Sequence, residues 1–245
     1  MQAGSVHLLA SLVVAAFAAA LVFLLWYPYP YPDLAGGREL FILVVAVDVI
    51  CGPLLTLVIF NRTKSRVELM RDLGFIVAIQ LAALAYGIFT VWQVRPLFLV
   101  MEVERFKVII AADVDATALS TLPTSLKPSI FLGPQVVALR APNNLQERNK
   151  VLLESVQGGR DYAERPEFYL AYEGADALKS LKRAKPLAVF LQKQADQTLA
   201  AQKLAAERRA DITQWMYLPV VARQDWVAVL DKQGQIQGFL KGDGF

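Results

Sequence analysis

The chain has 245 residues and a formal net charge of +3, and hydrophobic side chains make up 56% of it against 19% charged. That balance, with a mean hydropathy of +0.40, excludes a disordered chain and points to a membrane protein. A lone cysteine, Cys51, excludes an internal disulfide and a cysteine zinc site, and the single histidine, His7, excludes a Ser-His-Asp or Cys-His triad downstream of it.

Val6 to Trp26 is the first apolar run, about 20 residues long, which at 1.5 Å per residue matches the roughly 30 Å hydrocarbon layer. No Lys or Arg precedes it, and Ala16 to Ala18 lead into more Leu, Val and Phe rather than a polar mature start, so it reads as an uncleaved anchor. Trp26, Tyr27, Tyr29 and Tyr31 are expected at headgroup level, while Pro28, Pro30 and Pro32 stop the helix. The chain then turns at Gly36-Gly37.

Leu40 to Phe60 is the second run, and it carries Asp48 near its middle. A carboxylate at mid-bilayer costs roughly 2.5 to 3.5 kcal/mol, so Asp48 is expected to face other helices and find a partner there. Gly52-Pro53 removes a side chain and a backbone donor one turn later, which predicts a kink and a close helix approach. Asp48, Gly52 and Thr56 share one face. Two readings stay open: a kinked packing helix whose aspartate meets a neighbour in the same chain, or a partner-binding face.

The loop Asn61 to Asp72 is the one short loop dense in Lys and Arg, and the positive-inside rule places it in the cytoplasm. With Leu73 to Val94 as a third span, the amino terminus is cytoplasmic and everything after Arg95-Pro96 lies outside. Gln80, Ala83, Gly87 and Thr90 form a polar and small face on the third helix, and His7, Ser11 and Ala15 a similar one on the first. Among polar groups in the spans, His7 and Gln93 lie near helix ends, which leaves Gln80 as the best internal partner of Asp48. A glutamine cannot neutralise charge, so a positive group from another chain is the alternative.

Residues 96–245 read as an ordinary water-soluble domain with nearly balanced charge and no basic stripe, which argues against nucleic acid. Leu97 to Ala111 alternates and its apolar phase flips near Glu104-Arg105, which predicts one strand with a bulge. A short strand is expected within Phe131 to Leu139, and Asn143 or Asn144 is expected to cap a helix running toward Val156. Asp176 to Arg209 reads as one or two helices interrupted at Pro186. Met216 to Ala222, Trp226 to Leu230 and Gln235 to Leu240 read as strands, with Asp231 to Gly234 as a hairpin turn and Trp226 and Leu230 in the core. The expected architecture is three transmembrane helices (domain 1-95) followed by a small α+β periplasmic domain with an antiparallel sheet (domain 96-245).

No nucleotide fingerprint occurs. Glu102 and Glu104, placed on one strand face, could in principle be an acid and base pair, but a solvated strand face is the expectation, and Asp113 and Asp115 read as turn residues rather than metal ligands. No catalytic residue, cofactor, metal or small-molecule substrate is predicted.

His7-Leu8-Leu9, Leu25-Trp26-Tyr27-Pro28, Asp48-Val49, Gly52-Pro53-Leu54-Leu55-Thr56-Leu57, Gln80-Leu81, Tyr86-Gly87, Arg95-Pro96 and Arg105-Phe106 stand in an order that resembles the TfpX/TfpZ family of type IV pilin accessory proteins. The resemblance runs on through Tyr217-Leu218-Pro219-Val220 and Asp225-Trp226, so it covers nearly the whole chain. It implies a non-enzymatic chaperone or assembly factor in the inner membrane of piliated Gram-negative bacteria, with the major type IV pilin and the lipid bilayer as partners. No catalytic residue carries over. On that reading Asp48, Gly52, Pro53 and Thr56 would floor a groove for the apolar pilin helix, closed by Gln80, Ala83 and Gly87. The competing readings are a periplasmic ligand sensor or another subunit of an inner-membrane complex, and a membrane-embedded enzyme. A cytoplasmic loop of about a dozen residues is too short for a sensor's output domain. An enzyme built on Asp48 would need a second catalytic group in the bilayer.

Overall fold

The chain divides into two compact units, Met1–Arg95 and Pro96–Phe245. The computed structural model describes residues 2–59 and 65–245, without the side chains of residues 2–4, 48, 57, 59 and 66. Arg62 and Lys64 of the basic loop and the side chain of Asp48 therefore lie outside the described residues.

In the first unit α1 (Gln2–Ala20) ends in a wider π-helical turn, Leu21–Trp26, followed by the short α2 (Tyr31–Leu34). Next, α3 (Gly37–Ala46) passes through another π-helical turn, Val47–Cys51, into α4 (Gly52–Ile59). Pro53 has no N–H to give the carbonyl of Val49 and its ring would clash there, so the helix widens just ahead of it and then continues. The third long helix, α5 (Arg66–Gln93), starts about two turns before Leu73. A capping box explains that start: Glu68 N donates to Ser65 Oγ at 3.2 Å, and Ser65 N donates to Glu68 Oε2 at 3.0 Å. Among the described residues three helices are long and apolar enough to cross a membrane: Ser5–Trp26, Gly37–Thr56 and Val67–Gln93.

The aromatic run after α1 is more than a headgroup fringe. Tyr27 is fully buried, its hydroxyl donates to the carbonyl of Val91 at 3.0 Å, and its ring lies against Gly37, where an added Cβ would come within 2.5 Å of ring carbons. Phe23 meets Phe41 and Trp26 meets Trp92 edge to face at 4.9 and 4.8 Å. Tyr31 is buried as well, and Tyr29 is exposed as expected.

The second unit is built on an eight-stranded sheet. In chain order it comprises β1 (Pro96–Glu102), β2 (Arg105–Ile110), α6 (Ala116–Thr121), β3 (Gln135–Leu139), α7 (Leu145–Val156) and β4 (Tyr169–Ala171). There follow α8 (Gly174–Leu181), β5 (Lys185–Pro186), α9 (Leu187–Lys193), α10 (Thr198–Arg208), β6 (Met216–Val221), β7 (Trp226–Leu230) and β8 (Ile236–Lys241). The strand order is β4-β3-β1-β2-β6-β7-β8, with β5 paired to β6. This sheet is mixed, which corrects the antiparallel expectation: β1 runs parallel to β3 and β2 parallel to β6. Parallel pairs need crossovers of a dozen or more residues, and the segments carrying α6 and α7 to α10 supply them.

Three local expectations also change. Leu97 to Ala111 is a hairpin rather than one bulged strand, with Glu102 opposite Arg105 and Val103-Glu104 as the turn. The phase flip is therefore a reversal of direction, made by a turn without Gly, Pro or Asn. Glu102 and Glu104 consequently do not share a strand face. Asp176 to Arg209 holds three helices, α8 to α10, with Pro186 in β5 between the first two. The helix from Leu145 is capped by Asn144, whose Oδ1 accepts from Glu147 N at 2.8 Å.

Buried residues form two clusters along this sheet. One includes Phe98, Val100, Ile109, Val137 and Tyr169. The other includes Leu187, Phe190, Trp215, Tyr217, Val227 and Val229. Trp226 and Leu230 are buried.

Candidate functional site

Six of the seven residues singled out in the spans, all but Asp48, fall into two places. Gly52, Pro53 and Thr56 are buried at the start of α4. A Cβ added at Gly52 would overlap the carboxamide of Gln80, so the absence of a side chain at position 52 is what lets Gln80 pack across from α5. One turn further on, Thr56 is 1% exposed, and its Oγ1 stands 2.6 Å from His7 Nδ1 in a hydrogen bond linking α4 to α1. Gly52 and Thr56 thus face side chains of this same chain. Gln80 also borders a cavity of about 170 Å³ between α1 and α5, whose wall includes His7, Ser11, Ala15 and Val45.

Ala83 and Gly87 lie elsewhere on α5. Gly87 is filled by Val44 of α3, since a Cβ there would overlap the Val44 methyls. Both residues line a groove of about 220 Å³ between α3 and α5, together with Leu40, Leu43, Val47 and Tyr86. Thr90 closes one end of it, and its hydroxyl is already spent on the carbonyl of Tyr86 at 2.9 Å. The groove is therefore apolar along its length, suited to a hydrocarbon surface such as another helix or an acyl chain. The Asp48 carboxylate, the group on which the sequence argument turned, lies outside the described residues.

The second unit has a larger open cleft of about 640 Å³, at the end of the sheet where β1 and β3 finish. Its apolar walls include Met101, Leu139 and Pro142, and besides Glu104 its rim carries charges held in ion pairs. Arg105 bonds Glu102 at 2.7 Å, Lys179 bonds Asp176 at 2.6 Å, and Arg140 grips Glu147 in a fork at 2.9 and 3.1 Å. The Arg140 hydrogen bond, helped by the Asn143 backbone N–H, holds the Glu147 carboxyl below the usual range. At the other end of β2, burial pushes the Asp113 carboxyl up although it accepts from Ile110 N at 3.2 Å, and Asp115 accepts from Thr117 N at 2.8 Å. Both aspartates serve local turns. Among the described residues no three His, Cys, Asp or Glu side chains gather as a metal site.

Similarity to known proteins runs the length of the chain. The fimbrial assembly protein of serogroup I from Dichelobacter nodosus is 33% identical over 98% of this chain and 94% of its own length. The chain belongs to the fimbrial assembly protein family. The serogroup E1 protein of the same organism is 32% identical over the same shares, and the protein of serogroups C1 and C2 is 39% identical over 44% of this chain and 83% of its own length. The family model described as fimbrial assembly protein FimB matches residues 1–36. That stretch takes in α1, the Trp26 to Pro32 run and Gly36, whose φ of 75° turns the chain into α3. No solved structure matches the chain.

Sequence reasoning missed two features of the first unit. The His7–Thr56 bond had a signal, a histidine on a small-residue helix face, but nothing local named its partner. The burial of Tyr27 had none, because an aromatic beside prolines at a span end reads the same whether it faces headgroups or a glycine.

Proposed function

We propose that this protein is an inner-membrane assembly factor for type IV fimbriae, acting as a chaperone that holds and presents its cognate major pilin and not as an enzyme. The observation that carries the reading is the full-length similarity to proteins named for fimbrial assembly. Three apolar helices of spanning length support the membrane setting, and the basic residues Arg62, Lys64, Arg66 and Arg71, clustered between the second and third, favour by the positive-inside rule a cytoplasmic amino terminus and a periplasmic Pro96–Phe245 unit. A pilin waiting in the membrane offers one apolar helix. The groove between α3 and α5, floored by small residues at Ala83 and Gly87, takes such a helix. Gly52, Pro53, Thr56 and Gln80 form the packed layer that sets the spacing of α4 and α5, and Asp48 stands on the helix that walls the groove.

A photo-crosslinking residue in place of Leu43, on the groove, should capture pilin in native membranes, and one in place of Leu12, on α1, should not. Asp48→Asn removes a charge at constant size, and Ala83→Leu blocks the groove. Both should lower crosslinking and surface fimbriae while the protein still accumulates. Equal capture at Leu43 and Leu12, or wild-type fimbriation in both variants, would count against the groove. Normal fimbriation in a strain lacking the gene would remove the assembly role altogether.

A further inference from the structure

The loop before β3 exposes three large apolar side chains in succession: Ile130 at 48%, Phe131 at 67% and Leu132 at 67%. This is not slack chain. Pro128 and Pro134 restrict the backbone on either side, Phe131 N donates to Ser129 Oγ at 3.1 Å, and Gln135 Nε2 donates to the Lys127 carbonyl at 3.2 Å, closing the base. The loop thus presents its apolar tip on a fixed mount, where water gains nothing from it.

Sheet register says which end of the unit carries this tip. Gln135 pairs with Phe98 and β3 is parallel to β1, so the loop sits at the end of the sheet where β1 begins. That end is tethered: α5 finishes at Gln93 and β1 starts at Pro96, and a link this short reaches about 11 Å at most. The covalent link from α5 thus enters the sheet at this end and not at the end where β1 finishes. The local charge suits a headgroup layer too, since Lys127 is exposed and no Asp or Glu occurs between Asp115 and Glu147.

We infer that Ile130, Phe131 and Leu132 form a wedge that inserts into the headgroup–acyl boundary of the bilayer on the side where α5 emerges, giving the second unit a lipid contact besides its covalent tether. The inference rests on reading α5 as a span, and its test separates the two. In the full-length protein carrying Cys51→Ala, single cysteines are introduced as Phe131→Cys, as Val103→Cys just past the opposite end of β1, and as Phe17→Cys near the middle of the first span. Each is labelled with an environment-sensitive fluorophore and reconstituted into phosphatidylcholine–phosphatidylglycerol vesicles with brominated acyl chains. Quenching by bromolipid at positions 131 and 17 but not 103, with iodide in the buffer quenching only 103 strongly, is the expected result. A probe at 131 that behaves like the one at 103 while 17 is quenched by lipid overturns the wedge and leaves the spans standing. Loss of lipid quenching at 17 as well overturns both. A probe at 131 shielded from lipid and iodide alike means that protein covers the loop, which also overturns the wedge.

Discussion

The two units hold themselves together by different means. In the second, large side chains fill two clusters along a sheet, and two buried phenols are matched: Tyr169 donates to the Ala163 carbonyl and Tyr172 to that of Gly234, each at 2.6 Å. Burial pushes the Tyr172 phenol up to about 12, so it stays a neutral donor across the physiological range. In the first unit most large apolar side chains of the long helices point outward, and contact is made where a glycine admits a neighbour: Gly37 under Tyr27, Gly52 under Gln80, Gly87 under Val44. The contrast fits three helices of membrane-spanning length beside a sheet domain. Water rewards burying apolar area at about 25 cal/mol per Å², whereas lipid tails are as apolar as leucine, so only close fit and hydrogen bonds distinguish helix from lipid.

This contrast can be broken from either side. The largest effect is expected in the sheet, where Trp226→Ala should cost about 3 to 5 kcal/mol in urea unfolding of the second unit. Trp226→Phe should cost much less, because the indole N–H has no hydrogen-bond partner to lose. Equal costs would mean that the indole is held by something besides packing.

In the first unit the damaging direction is addition. Gly37→Ala drives a methyl into a ring pinned by its bond to Val91, and overpacking of that kind costs about 1 to 3 kcal/mol, read as a lower thermal midpoint in detergent. Gly52→Ala meets only the tip of a flexible Gln80 side chain and should be milder. If Gly52→Ala is the worse of the two, the Gln80 carboxamide is fixed more firmly than the Tyr27 ring. Thr56→Val deletes the bond to His7 at nearly constant shape, and intramembrane hydrogen bonds average about 0.6 kcal/mol. A small loss is expected in the same assay.

The gentlest test is pH. Hydrogen bonds from Arg140 and from Arg165 hold the Glu147 and Glu154 carboxyls below their ordinary value in the folded unit. Their contribution is fully present above the unfolded glutamate pKa, near 4.3, and is lost as pH falls through the depressed folded values. Acid should therefore weaken the second unit below about pH 4, and Glu154→Gln should flatten part of that decline.

Glu102 shows how much the sequence could say. The phase flip beyond it was visible, but a bulge and a tight hairpin give the same alternation, and only the pairing of Glu102 with Arg105 separates them. The 640 Å³ cleft beside this hairpin was invisible for the same reason, since its walls come from β1, β3 and α8, brought together by pairing partners.

By itself the sequence determined what depends on neighbours along the chain. Three apolar helices, the disturbed helix at Gly52-Pro53, a cap at Asn143 or Asn144 and the strands from Met216 to Leu240 follow from run length, lost donors and period, all fixed within a few residues. The tertiary structure alone decided what depends on partners far along the chain. It made the sheet mixed, set Tyr27 against Gly37, joined His7 to Thr56, and gave Gly52 and Gly87 to side chains of this same chain. A strand's pattern records which of its faces is buried but not which strand lies beside it, and a glycine records that something comes close but not what.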